Sequence, residues 1–421
     1  MPFRDWNRVN LVFLLLPLIA FVTAAISQLT GTGGTMEALS LAVTESAAAA
    51  VPLALGLVGI MALFLGLMKI AEAGGMLDAT ARLLAPLLGR LFPDIPAGHP
   101  AMGAMVMNVA ANLLGLGNAA TPFGIRAMEQ LERLNPHKGT ASNAQVLFLA
   151  INTAGITLLP TKVIALRASL GSGDPAAVVA PTLCATLAAT LVAILAAKGL
   201  QRVWEPPPAA GRAAGPADHA SPPWPGLLAL AGILAVLPVL LLKGREIGPW
   251  IMPGLVVGLL GFGVWRRVPI YESFVEGAKE GFAVAVRILP YLVAILVAIG
   301  MFRASGAMEM VLGPLGRLTA PLGLPGEALM MAVMRTLSGS GSYGLLAASL
   351  RDPAIGPDSY LGTLLGTLYG STETTFYVLA VYFGAVQVRR IRHALAVGLL
   401  ADFAALVTAV IVCRLSFGWS F

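Results

Sequence analysis

Long apolar runs separated by short polar breaks fill nearly the whole chain. A helix that crosses a bilayer needs about 20 apolar residues, and runs near this length recur at 9–28, 50–70, 175–197, 225–242, 247–265, 283–302 and 394–413. Each reads as a membrane-spanning helix. For 9–28 a cleaved signal peptide is the alternative; the run is long for one, and no clear A-x-A site closes it. Residues 76–92 and 306–322 differ. Arg82 and Arg90 in the first, and Arg317 in the second, interrupt leucines at helical spacing. That pattern predicts amphipathic helices lying in the membrane interface.

Four further stretches are apolar but broken. In 100–134 two short arms flank Gly115 to Pro122, a run holding Asn118 and Thr121. In 325–350 two short arms flank Ser338, Gly339, Ser340, Gly341 and Ser342. Gly and Pro break helices, and Asn, Ser and Thr can satisfy the freed backbone groups. Both stretches predict re-entrant hairpins. Residues 143–167 and 359–388 are long enough to cross, but are interrupted at 152–157 with Pro160 and at 370–375. These predict spans unwound at their middles.

The order of these elements repeats, once over 9–197 and again over 247–413. The division is a first repeat at 1–198, a hydrophilic Pro-rich linker at 199–224, and a second repeat with one added span at 225–421. Four crossings plus the added one make an odd number, so the repeats are expected in opposite orientations. The fold class is therefore an all-α membrane protein of two inverted repeats, each with a re-entrant hairpin and a broken helix. Lys and Arg concentrate in segments on the side of the N-terminus, among them Arg126, Arg133, Lys138, Arg389, Arg390 and Arg392. By the positive-inside bias the N-terminus is cytoplasmic and the C-terminus outside.

Composition agrees. Hydrophobic residues are 57% and charged residues 11% of 421, against about 25% charged in soluble proteins. A soluble enzyme and a secreted disulfide scaffold are excluded. Cys184 and Cys413 lie in apolar runs and read as small buried hydrophobes. The net charge of +6 is explained by topology and needs no nucleic-acid partner. His99, His137, His219 and His393 lack metal-ligand spacing, and no Walker loop is present.

An unwound helix at mid-membrane persists only if protein, water or a ligand satisfies its backbone. Four interruptions converging on one place would form a polar site. The candidate binding residues are Asn112, Asn118, Thr121, Asn152, Thr153, Ser338, Ser340, Ser342, Ser371, Thr372, Glu373 and Thr374. This mostly neutral set suits a small polar solute or a partly dehydrated cation; helix-to-helix hydrogen bonding is the plainer role for any one of them. Glu373 is costly in a membrane unless paired, protonated or hydrated. It could bind solute, carry a coupling proton, ligate Na⁺, or form a static pair with Lys162 or Arg335. Asp402, inside the last span, reads equally as a packing partner or a proton relay. Lys69 and Arg287, near span ends, read as snorkelling side chains.

The residues from Asn112 to Gly124, Thr140 to Asn143, Asn152–Thr153 and Pro160 to Arg167 resemble spore maturation protein A. Ser338 to Ser342, Gly356 to Ser359 and Gly370 to Gly384 resemble spore maturation protein B. Both are nucleoside recognition, or gate domain, proteins, which are similar to concentrative nucleoside transporters and to the gates of ferrous-iron transporters. The resemblance implies a fused pair in a bacterial cytoplasmic membrane and a solute carrier with two re-entrant hairpins.

The first expectation is thus a secondary transporter of a small polar solute, coupled to H⁺ or Na⁺, with no other cofactor. Its partners would be the lipid bilayer and further copies of itself in a homo-oligomer. The alternative is a non-transporting membrane scaffold that recruits cell-envelope or spore-cortex factors. An enzyme would need a nucleophile or metal set that the sequence does not supply.

Overall fold

The computed structural model describes residues 8–31, 36–96, 98–115, 117–203 and 244–418, with 224, 231, 232 and 235 besides. Most of the 199–224 linker and of the 225–242 run lies outside the described residues. The regular structure among the described residues is helical, apart from one isolated bridge between Thr140 and Arg390.

The first half runs α1 (Arg8–Thr30), α2 (Met36–Ala73), α3 (Met76–Leu91), α4 (Pro100–Leu113), α5 (Gly117–Leu134), α6 (Asn143–Thr153), α7 (Thr161–Ser169) and α8 (Val179–Leu200). The second runs α9 (Gly244–Trp265), α10 (Ile270–Ala304), α11 (Ala307–Thr319), α12 (Gly326–Leu337), α13 (Gly339–Arg351), α14 (Tyr360–Ser371), α15 (Thr375–Ala385) and α16 (Ala394–Ser416). The lengths correspond in order, and so do local signals. Gly75 and Gly306 take left-handed φ of 78° and 75° before α3 and α11, a conformation glycine adopts without the Cβ penalty. Ser142 and Ser359 cap α6 and α14 by accepting from Gln145 N and Gly362 N, which satisfies N–H groups a helix start leaves open.

Corresponding long helices pack side by side. Gly277 of α10 sits on Leu65 of α2, Gly281 on Ala62, and Gly300 on Ser46. Numbers rise on one helix as they fall on the other, so α2 and α10 are antiparallel. A Cβ on Gly281 would lie 2.6 Å from the Ala62 Cα, so this approach depends on glycine. At one end of the pair Lys69 lies 3.3 Å from Glu276, 3.6 Å from Glu72 and 3.7 Å from Glu280. Lys69 therefore sits within an acidic cluster rather than simply snorkelling. Arg287's side chain is outside what is described.

The loops at the ends of the broken stretches clasp each other in two matching ways. Backbone N–H groups of Arg389 and Arg390 donate to Gly139 O, and Arg392 donates to Ala141 O and Asn143 Oδ1. On the other pair of loops Arg167, 1% exposed, donates to Pro357 O, to Asp358 Oδ1 at 3.0 Å and to Asp174 O at 3.0 Å.

Two described helices are each long and apolar enough to cross a membrane: Pro175–Leu200 and Ala394–Ser416, with mean hydropathies of 2.2 and 2.4. Val58–Ala73 and Met76–Leu91 qualify only together, and they bend by 68° at Gly74–Gly75. Leu14–Thr30 and Trp250–Trp265 are apolar but shorter over their described residues. Large apolar side chains face outward on these helices, including Phe21, Leu191, Leu195, Trp250, Val257 and Phe403. Exposed apolar surface on this scale marks a lipid-facing exterior rather than a water-facing one. The chain is a membrane protein.

Both hairpin turns are tighter than the sequence pattern predicts. Pro122 does not break the chain, because α5 already begins at Gly117 and carries Pro122 and Thr121 within it. The proline lacks the N–H that would bond to the carbonyl four residues earlier, so α5 forgoes one hydrogen bond there. In the second hairpin only the extended Ser338 separates α12 from α13, so Ser340 and Ser342 are helical.

Candidate functional site

All four interruptions border one cavity of about 550 Å³. The first hairpin contributes Asn112 and Gly115, and the 154–160 break contributes Gly155, Thr157, Leu159 and Pro160. The second hairpin contributes Leu337, Ser338, Gly339, Ser340 and Tyr343. The 372–374 break and its flanks contribute Tyr369, Gly370, Glu373 and Thr374. Lys162 and Arg335 also line it, while Met61, Phe376 and Ala380 give it an apolar side. A space of this size holds a small organic molecule.

The breaks are held by specific partners. Glu373 N donates to Thr153 O at 2.8 Å, tying one break to the other. Leu158 N donates to Leu113 O at 3.2 Å, tying the first break to the first hairpin. Thr190 Oγ1 of α8 donates to Ala154 O at 2.6 Å. Arg335 donates to Thr372 O and, at 3.3 Å, to Thr374 Oγ1. Carbonyls that left their helices are thus met by protein groups, as an interior without water demands.

Glu373 lies 3.6 Å from Arg335, and its side chain is 58% exposed while that of Arg335 is 8% exposed. The Arg335 guanidinium also lies 4.7 Å from the centre of the Tyr369 ring. Of the two cations considered for Glu373, the structure brings Arg335 to it. Lys162 is exposed and has no ion pair among the described residues.

Asn112, Ser338, Ser340, Glu373, Thr374, Lys162 and Arg335 line the cavity; Thr121, Asn152, Thr153, Ser342, Ser371, Thr372 and Asp402 do not. Asn152 and Thr153 are buried and donate to Phe148 O and Leu149 O within their own helix. Ser342 and Ser371 likewise donate to Gly339 O and Leu368 O. Thr121 is in the body of α5, and Asn118's side chain lies outside the described residues. Thr372, Ser371 and Asp402 border a second, smaller cavity of about 270 Å³, which Arg335 also lines. There Asp402 Oδ2 accepts from Thr375 Oγ1 at 2.6 Å, while Oδ1 has no hydrogen-bond partner among the described residues.

The sequence reading missed Tyr382. Its hydroxyl donates to Asn152 Oδ1 at 3.1 Å and accepts from Asn108 Nδ2 at 3.2 Å, while Asn112 Nδ2 donates to the same Asn152 Oδ1 at 3.0 Å. This chain of polar groups joins the first hairpin to α6 and α15. A tyrosine in an apolar span was the available signal, since a buried phenol needs a partner. Tyr343, at the cavity wall, was also missed; its hydroxyl is buried without a hydrogen-bond partner among the described residues. Among the described residues no group of His, Cys, Asp and Glu could hold a metal ion.

Comparison with known proteins places this architecture. The chain is 44% identical over 178 residues to spore maturation protein A of Bacillus subtilis (strain 168), covering 42% of this chain and 88% of that one. It is also 44% identical over 167 residues to spore maturation protein B of the same organism, covering 40% of this chain and 93% of that one. No solved structure matches. The nucleoside recognition (gate) family model matches residues 54–170 and 285–389, more than half of the chain and all four interruptions, and the protein belongs to that family.

Proposed function

We propose that this protein is a secondary transporter that moves a small polar solute across a bacterial cytoplasmic membrane by alternating access, coupled to H⁺ or Na⁺. The observation that carries this reading is the single cavity bordered by all four interruptions. Discontinuous helices around a central site are the way many secondary transporters expose backbone dipoles to a solute. In this reading α4–α5 and α12–α13 are re-entrant hairpins that gate the cavity from opposite faces. The antiparallel contact of the corresponding helices α2 and α10 supports an inverted relation between the halves. So do the two matching loop clasps, Gly139 with 389–390 and Pro357–Asp358 with Arg167.

The N-terminus is then cytoplasmic and the C-terminus outside, and residues 1–198 and 225–421 are the two repeats. Exposed apolar faces on α1 and α9 leave room for lipid or for further copies of the chain. Glu373, exposed to the cavity and beside Arg335, is the group assigned to solute binding or ion coupling. The name of the family makes nucleosides one class of solute to test.

The test is a melting-temperature screen of the purified full chain with nucleosides, amino acids, dipeptides and organic acids, with and without Na⁺ and across pH. A ligand that binds only the native state raises the melting temperature by mass action, by about 2.7 kcal/mol of stability at 100 times its Kd. A saturable shift from one solute class, lost in Glu373→Gln, is expected. A flat response to every solute and ion, with Glu373→Gln indistinguishable, contradicts the proposal.

A further inference from the structure

The charges around the cavity point further than the neutral hydrogen-bonding set suggested by the sequence. Among the described residues three charged side chains line it: Lys162, Arg335 and Glu373. Arg335 and Glu373 lie 3.6 Å apart and offset each other. Lys162 is left as an exposed ammonium with no ion pair among the described residues, so the lining carries one net positive charge.

Fixed dipoles of both signs border it, because the last turns of α4, α12 and α14 reach it at Asn112, Leu337 and Tyr369. The first residues of α7, α13 and α15, or the residues just before them, all border the cavity: Pro160 and Thr161, Ser338 and Gly339, and Thr374. Helix starts present partial positive charge and unpaired N–H groups. Neither α7 nor α15 has a side-chain cap.

The unpartnered buried atoms at the wall are donors as well. Arg335 is 7% exposed and Tyr343 is 7% exposed, and neither the Arg335 Nε nor the Tyr343 hydroxyl has a hydrogen-bond partner among the described residues. The one carboxylate in the lining already faces a guanidinium. A neutral solute would leave Lys162 without a counter-charge once the cavity closed, and an unpaired charge excluded from water is unfavourable. A solute bearing an oxyanion would meet it.

We infer that the cavity selects solutes that carry a carboxylate or phosphate group, held by the Lys162 ammonium at the start of α7. This inference rests on reading the cavity as the solute site. Arg335 remains with Glu373 and the 372–374 break, and the apolar side of the cavity at Met61, Phe376 and Ala380 receives the uncharged part of the solute.

The test is titration of the purified full chain with succinate, acetate, inorganic phosphate, uridine and choline, each against sodium chloride at matched ionic strength. Melting temperature and calorimetric heat are both read. Saturable binding of a carboxylate or of phosphate is expected, and comparing those arms identifies which oxyanion is taken. Its Kd should weaken at least tenfold in Lys162→Gln and stay within a few-fold in Lys162→Arg, which keeps the charge. Saturable uridine binding with no oxyanion response would overturn the inference while leaving a solute site in place. Oxyanion binding that is unchanged in Lys162→Gln, or reproduced by sodium chloride, would also overturn it. Silence from all five probes would count against both the oxyanion inference and the cavity as a solute site.

Discussion

Arg167→Met is expected to destabilise the protein by about 3 kcal/mol, within the range for removing one partner of a buried ion pair. Arg167 is 1% exposed, and its guanidinium donates to Pro357 O, Asp358 Oδ1, Asp174 O and Ser172 Oγ. Methionine fills much of the volume but leaves two carbonyls and a carboxylate unanswered. Asp358 is 50% exposed, so water can recover part of its loss, which holds the estimate at the lower end. Arg167→Lys should fall between the two, because an ammonium cannot serve several acceptors with a planar fork. Asp358→Asn should cost far less, about 1 kcal/mol, as for a half-exposed pair. Melting in detergent would check the ranking. An Arg167→Met protein that melts with the wild type would mean that this clasp does not hold the two halves.

The second large effect is expected at Arg335. Arg335→Gln removes the donors to Thr372 O and Thr374 Oγ1, the partner of Glu373, and the cation over the Tyr369 ring. Hydrogen bonds to charged groups contribute about 1.5–3 kcal/mol each, but Glu373 is mostly exposed and adds little. A stability loss of about 2 kcal/mol is expected, together with loss of any solute-induced shift, because the 372–374 break forms part of the cavity wall. Arg335→Lys should recover stability only in part. A Gln variant that responds to solute like the wild type would remove Arg335 and its break from the site.

Much of this arrangement was legible in the sequence, for a physical reason. Gly, Ser, Asn and Pro clusters inside apolar runs are costly in a bilayer, so Ser338–Ser342, 152–160 and 370–375 stood out as breaks. That they meet around one cavity followed from their matching positions in a repeated element order. What was illegible was the direction of each side chain within a break. Asn152 and Thr153 end a helix and turn back on it, whereas Glu373 and Thr374 face the cavity; both sequences are equally polar. Pro122 looked like a breaker but lies within α5 once Gly117 starts that helix.

Long-range partners were also hidden. Arg167 sits at a span end, where an arginine ordinarily snorkels, and Asp358 lies 191 residues away. Tyr382 reaches Asn152 across 230 residues. The charge balance of the cavity was missed because it depends on which cation takes Glu373: Arg335 does, and Lys162 is left over.

The central claim is that the cavity between the broken helices opens to both faces of the membrane in turn. Labelling of Ser340→Cys tests it without knowledge of the solute. Cys184 and Cys413 would first be replaced by alanine, since both are free thiols. A membrane-impermeant maleimide is then applied to right-side-out and to inverted vesicles. The account predicts labelling from both faces, with a solute that binds the cavity slowing both reactions. Labelling from one face only, or from neither, would contradict alternating access and favour a membrane scaffold with a closed centre.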